Sequence, residues 1–223
     1  MNIVVTGANR GLGLGFVQHY LSNDCHVWAC FRKSSGPLES LSHRKLERLC
    51  WDVAQNGPPA LKNFPDRIDL LINNAGIYGP GKDGQALDSI TRENMLDVFA
   101  VNCIGPLMVV QHLKQNLIAA KGVIANVSSK MGSSGDNTSG GAYAYRAAKA
   151  GLVIVSKSMA NDLVNQGIRV ITLHPGWVKT DMTDQTGLID IDTSVAGMAK
   201  VIRHIDDYKS GAFIAYDGRP VPY

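Results

Sequence analysis

Charge is scarce and nearly balanced in this chain. Of 223 residues, 18% are charged, and the formal net charge at pH 7 is +3. Lysine and arginine are scattered, and no basic stripe interleaved with aromatics marks a nucleic-acid surface, so no nucleic-acid partner is expected. Cysteine is scarce too. The four cysteines, Cys25, Cys30, Cys50 and Cys103, form no C-x-x-C pair. That spacing fits neither a zinc site nor a disulfide framework. It fits small apolar core residues in a reducing compartment. The six histidines show no H-x-x-x-H pattern, and no metal is expected. Strand-like residues begin at Asn2, which leaves no room for a signal peptide. No apolar run approaches the roughly 18 residues of a membrane span. The expected location is cytoplasmic, with no membrane partner. Long linkers and internal repeats are also missing. With 45% hydrophobic residues, one compact domain spanning 1–223 is expected.

What is present is alternation. Short apolar runs at 3–6, 25–31, 46–51, 68–73, 122–127, 168–174 and 212–216 read as strands. Helical patterns lie between them at 12–22, 38–43, 91–120, 142–165 and 193–204, with a weaker one at 59–64. The long stretch 91–120 is expected to bend at Gly105-Pro106, and Gly167 to stop the helix before it. A glycine-rich polar loop covers 128–141. Strands separated by helices predict an α/β fold, a doubly wound, Rossmann-type parallel sheet of about seven strands with helices on both faces.

Three glycines, Gly7, Gly11 and Gly13, follow the first strand and open the first helix. Glycine there lets a pyrophosphate approach the backbone at a positive helix end. The spacing is G-x-x-x-G-x-G rather than G-x-G-x-x-G, and a tight turn without a ligand would use the same residues. A dinucleotide unit specific for NAD places an acid on the ribose roughly 20 residues further on. Here the second strand ends in Cys30-Phe31-Arg32-Lys33. Arginine can fork onto a 2′-phosphate. Arg32, Lys33 and Arg10 therefore favour NADP(H) over NAD(H), although exposed loop charges would look alike.

Tyr145 and Lys149 in Y-A-Y-R-A-A-K stand four residues apart, one turn away on the same helix face. Tyrosine has a reference pKa of about 10. A neighbouring ammonium is expected to favour phenolate and bring the group toward working range. Tyr143 competes with Tyr145, but only Tyr145 has a lysine at the fourth following position.

Six ordered segments carry a resemblance. T-G-A-N-R-G-L-G at 6–13, N-N-A-G at 73–76, Asn102 in V-N-C-I-G-P, Ser128-Ser129, Tyr145-x-x-x-Lys149 and P-G-W-V-K-T at 175–180 resemble the short-chain dehydrogenase/reductase family. Within it the chain is similar to the small carbonyl-reductase branch that holds the C-factor-like and sniffer-like proteins, whose ending the segment 210–223 resembles. The resemblance implies a catalytic set of Asn102, Ser129, Tyr145 and Lys149. Tyr145 would exchange the proton with the substrate oxygen. Lys149 would lower its pKa and bind the nicotinamide ribose, and Ser129 would hydrogen-bond the substrate oxygen and the tyrosine hydroxyl. Asn102 would hold a helix kink and a water leading from Lys149 to solvent. The cofactor would lie on Gly7, Asn9, Arg10, Gly11, Leu12 and Gly13. Asp52 and Val53 would meet the adenine, and Asn74, Ala75 and Gly76 would line the cleft. Pro175, Gly176, Val178 and Thr180 would face the nicotinamide.

The expected activity is NADP(H)-dependent oxidoreduction of a small carbonyl or alcohol substrate. The alternative is a dinucleotide-binding regulatory module with little turnover. The gap from Ser129 to Tyr145 suggests a small insertion at 132–141. The helices at 91–120 and 142–165 carry surplus apolar residues, which predicts a homodimer, with a monomer as the alternative.

Overall fold

Seven short strands carry an apolar residue toward each of two faces, and that alternation builds the sheet. They are β1 (Asn2–Thr6), β2 (His26–Phe31), β3 (Leu46–Cys50), β4 (Leu70–Asn73), β5 (Val123–Val127), β6 (Arg169–His174) and β7 (Ala212–Ala215). The computed structural model describes residues 1–223 except Asn56, Pro58 and Lys82. Among the described residues the strand order is β3-β2-β1-β4-β5-β6-β7, with every pairing parallel.

Side chains alternate across each strand. Ile3 and Val5 pack with Leu70, Ile72, Ala125 and Leu173 on one face, against α1 (Gly11–Ser22) and α5 (Ile191–Arg203). Val4, Leu71, Ile124 and Val170 face the other way, against α3 (Gly105–Ala120) and α4 (Tyr143–Leu163). Leu113 and Leu117 of α3 are fully buried there, each contributing about 1.5–3 kcal/mol relative to exposure. The shorter α2 (Arg92–Phe99) packs through Val98 against Ala144 and Ala148 of α4.

Several expected elements are altered. The helices expected at 38–43 and 59–64 are single 3₁₀ turns, Gly36–Ser40 and Leu61–Asn63. The stretch 91–120 is interrupted near the expected place, by a π turn at Ala100–Ile104 that ends against Gly105. Pro106 offers no N–H, and its ring crowds the carbonyl four residues back, so the disturbance falls one turn upstream of the proline. Gly105 is needed there because a Cβ would meet the Val53 carbonyl at 3.1 Å. By length and composition 92–120 could cross a membrane. Here its inner side is buried against the sheet.

Candidate active site

The strand order reverses between β1 and β4, whose loops leave in opposite directions and open a crevice at their carboxyl ends. The crevice measures about 390 Å³. Of the expected site residues, Gly7, Asn9, Arg10, Gly11, Leu12, Arg32, Lys33, Asp52, Val53, Asn74, Ala75, Gly76, Tyr145, Lys149, Pro175 and Thr180 line it. Gly13, Asn102, Ser129, Gly176 and Val178 are not in the lining. Ile77, Trp51, Asp181 and Met182 line it as well, and sequence reasoning did not select them.

At the β1 end the wall is backbone. Gly7 has φ +62, and a Cβ on it would sit 2.7 Å from the Ala75 Cα. Gly13 lies so close beneath the loop that a Cβ would meet the Gly7 carbonyl oxygen at 2.1 Å. The Asn74 side-chain amide donates to the Thr6 and Gly7 carbonyls, each at 3.1 Å. The Thr6 hydroxyl accepts from the Asn74 and Ala75 N–H groups, each at 3.1 Å. Two loops are thereby tied into one cradle. Arg10 is the N-cap of α1, and its side chain makes no capping hydrogen bond. The first turn of α1 holds no acid. Among the described residues its leading N–H groups have no partner, and they carry the positive end of the helix dipole.

The cations at this end are differently placed. Arg32 and Lys33 follow β2 at the crevice rim, beside Ser34, whose carbonyl accepts from the Asn9 side chain at 3.0 Å. Arg10 instead pairs with Asp181 across the mouth at 3.0 Å, with both side chains mostly exposed. Asp52 turns its carboxylate onto the Ala54 N–H at 3.1 Å.

At the other end the wall is made of side chains. Tyr145 and Lys149 are both buried on α4, and the Lys149 ammonium lies over the Tyr145 ring, 5.7 Å from its centroid. The ammonium donates to the Val127 carbonyl at 2.8 Å. One expectation is reversed here. The phenol is not brought down by the lysine. Burial pushes Tyr145 up to about 12, opposed by a hydrogen bond from Ser129. Burial also brings Lys149 down to about 8. Both charged forms lose their hydration in this pocket, and that loss outweighs the attraction across the pair.

The two adjacent serines separate clearly. Ser128 is buried, and its hydroxyl donates to the Lys149 carbonyl at 2.9 Å. The Ser129 hydroxyl accepts from the Met131 N–H at 3.2 Å and caps the 3₁₀ turn Lys130–Gly132. Tyr143 is 39% exposed and faces away. Asn102 sits in the π turn with no exposed surface. Its side-chain oxygen accepts from the Ile77 N–H at 2.9 Å, and its nitrogen donates to the Ile77 carbonyl at 2.8 Å. Asn102 thereby clamps the loop after β4 to the π turn. Val178 is buried and bridges to Ile189. Gly176 has φ +86, and a Cβ there would meet the Ile189 and Tyr216 side chains. Among the described residues no three His, Cys, Asp or Glu side chains gather to hold a metal ion.

Known proteins resemble this chain in sequence and fold. The family model for short chain dehydrogenases matches residues 1–188. The C-signal protein of Myxococcus xanthus is 41% identical over 157 residues, covering 70% of this chain and 93% of that protein. The NADPH-bound carbonyl reductase from chicken fatty liver superposes with a TM-score of 0.89 at 33% identity, covering 100% of this chain and 98% of its own. Carbonyl reductase Sniffer of D. melanogaster gives 0.90 at 31% identity, covering 100% and 99%. A glycine cradle on an uncapped helix, a buried Tyr145–Lys149 pair at its far end and a family match through most of the length lead to one assignment: the chain belongs to the short-chain dehydrogenase family of oxidoreductases.

Proposed function

We propose that this protein reduces a small aldehyde, ketone or quinone with NADPH, Tyr145 donating the proton. The observation that carries the reading is the meeting of two unlike ends in one crevice: an uncapped helix N-terminus and a buried Tyr145–Lys149 pair. The crevice suits a dinucleotide. Its floor is bare backbone that a single Cβ would fill at Gly7, and its unpartnered N–H groups suit a pyrophosphate. Arg32 and Lys33, with no acid beside them, suit a 2′-phosphate. The bound dinucleotide would supply the hydride.

The chain's own groups do the rest. Tyr145 keeps its proton at neutral pH, since burial holds the phenol near about 12, so it acts as a donor to the carbonyl oxygen. The Ser129 hydroxyl would steady the same oxygen. The two together make an oxyanion hole. Lys149, with a pKa of about 8, is charged at neutral pH. Its ammonium offsets the negative charge that Tyr145 gains on giving up the proton. Asn102 keeps the Ile77 segment in place beneath them. The loop after Thr180 is short, which leaves few groups to read a substrate and suits small or varied carbonyl compounds.

The homodimer belongs to the same reading. Leu96, Ile104, Leu107, Met108 and Ile154 are exposed on α2, α3, α4 and the π turn, an apolar surface that a second copy would cover. Light scattering should give twice 24.0 kDa; a single-chain mass would refute it. The four free cysteines suit a cytoplasmic site. The deciding experiment is NADPH oxidation across a panel of aldehydes, ketones and quinones. Turnover with at least one supports the reading. Tight NADPH binding with no turnover across the panel would replace it with a binding module.

A further inference from the structure

The first turn of α4 has a defect that is repaired from far away. Its N-cap is Ala142, in the left-handed region at φ +49, and Ala142 has no side-chain oxygen to cap the helix. The N–H of Tyr145, third residue of the helix, would ordinarily take its bond from such a cap. It donates instead to the side-chain oxygen of Gln85 at 2.9 Å, across 60 residues of sequence. Gln85 has no exposed surface. Its side-chain nitrogen donates to the Tyr78 carbonyl at 2.6 Å. A backbone N–H can only donate and a carbonyl can only accept, so one orientation of the amide satisfies both partners.

Tyr78 is the other half of the arrangement. Its ring lies against the Tyr145 ring, with centroids 5.1 Å apart. The residue before it, Ile77, has both its N–H and its carbonyl held by Asn102. The 77–78 segment is thus pinned by two buried amides, one on each side. One of them also holds the helix turn that carries Tyr145.

We infer that Gln85 is a positioning residue for the proton donor: its amide locks the Tyr78 wall and the first turn of α4 into one unit, so that the phenol is presented at a set place beside the crevice. This rests on the reading of Tyr145 as the donor. A plain helix cap would contribute to folding alone. A positioning residue changes turnover without changing cofactor affinity, because the glycine cradle shares neither of its hydrogen bonds.

The test uses the full chain carrying Gln85→Leu, which removes both bonds with little change in volume. Turnover (kcat) should fall about tenfold to a hundredfold, the scale of a displacement of roughly 1 Å in a reacting group. The NADPH Kd should stay within about twofold of the unaltered protein, and the Tyr145 amide should exchange its hydrogen at least about tenfold faster than in the unaltered protein, while amides in the second half of α4 keep their rates. Tyr78→Leu should lower kcat similarly, and the double variant should lose little beyond the worse single one, because the two residues act as a unit. Additive losses, an unchanged kcat or an unchanged Tyr145 exchange rate would each overturn the inference. Should Gln85→Leu not fold, Gln85→Met removes the same two bonds with a more adaptable side chain; it should fold and still lose kcat, and wild-type kcat would overturn the inference. A wild-type protein that turns over no carbonyl sinks the functional reading and this one with it. An active wild type beside an equally active Gln85→Leu sinks this one alone.

Discussion

The two ends of the crevice are built from different material. At the glycine end the working surface is backbone: N–H groups at the start of α1, and a floor where Gly7 touches Ala75 and Gly13 touches Gly7. At the tyrosine end it is side chains, each held by a partner distant in sequence. Lys149 reaches Val127, Asn102 reaches Ile77, and Gln85 reaches Tyr145. On the proposed reading, the first would bind by shape and dipole and tolerate no added atom, and the second would tune a proton and tolerate no lost partner.

Breaking each end in turn should give opposite signatures. The largest effect is expected from Tyr145→Phe, which removes a general acid and should lower kcat by about 10²–10⁴-fold while leaving the NADPH Kd nearly unchanged. Wild-type turnover in that variant would end the donor role. Gly13→Ala should do the reverse. Its Cβ would lie 2.1 Å from the Gly7 carbonyl, a clash worth about 1–3 kcal/mol of overpacking. The cradle must shift, so NADPH affinity should drop by about tenfold to a hundredfold, on the scale of 1.4 kcal/mol per decade. Unchanged affinity by fluorescence titration would show that the loop is not the cofactor floor. A smaller change is expected from Arg32→Asp, which should move the NADP-to-NAD preference by about tenfold toward NAD, the scale of a lost charge-assisted hydrogen bond. Unaltered selectivity, read as the ratio of kcat/KM with the two cofactors, would clear Arg32 of that role.

The same contrast explains what could be read in advance. The β1–α1 glycines were legible because backbone approach leaves its mark directly in composition. The Tyr145–Lys149 pair was legible because four residues is one helical turn. The sign of the phenol's shift was not: a neighbouring charge is visible in sequence, but burial of both groups is a property of the folded packing. Gln85 left no signal at all, since it sits in a 3₁₀ turn (Asp83–Gln85) outside any periodic pattern, and its partner lies 60 residues on. The break at Ala100–Ile104 was legible from Pro106, because a proline acts on the carbonyl a turn behind it. The Arg10 partner, Asp181, is 171 residues away, beyond any local rule.

The finest separation of the two ends comes from pH. Burial disfavours the Lys149 ammonium and brings it down to about 8. The charge is therefore present below about pH 8 and lost above it. Turnover should decline as pH climbs through that value, because Tyr145 loses the cation that offsets its developing negative charge. Stability should move the other way. Between about pH 8 and 10 the unfolded chain keeps a proton on Lys149 that the folded chain has released, so unfolding free energy rises with pH across that window. Above about 10 the trend reverses, because Tyr145, held up to about 12, then keeps a proton that the unfolded chain has lost. Backbone N–H groups do not titrate, so the NADPH Kd should change less than kcat across the same window, by no more than the loss of one Lys149 contact to the ribose. Lys149→Met should abolish the rise in stability, measured by urea unfolding at several pH values. A kcat that holds steady from about pH 7 to 9, or a stability that falls as the lysine discharges, would mean that the ammonium is not paying the cost of burial that its place beneath Tyr145 implies.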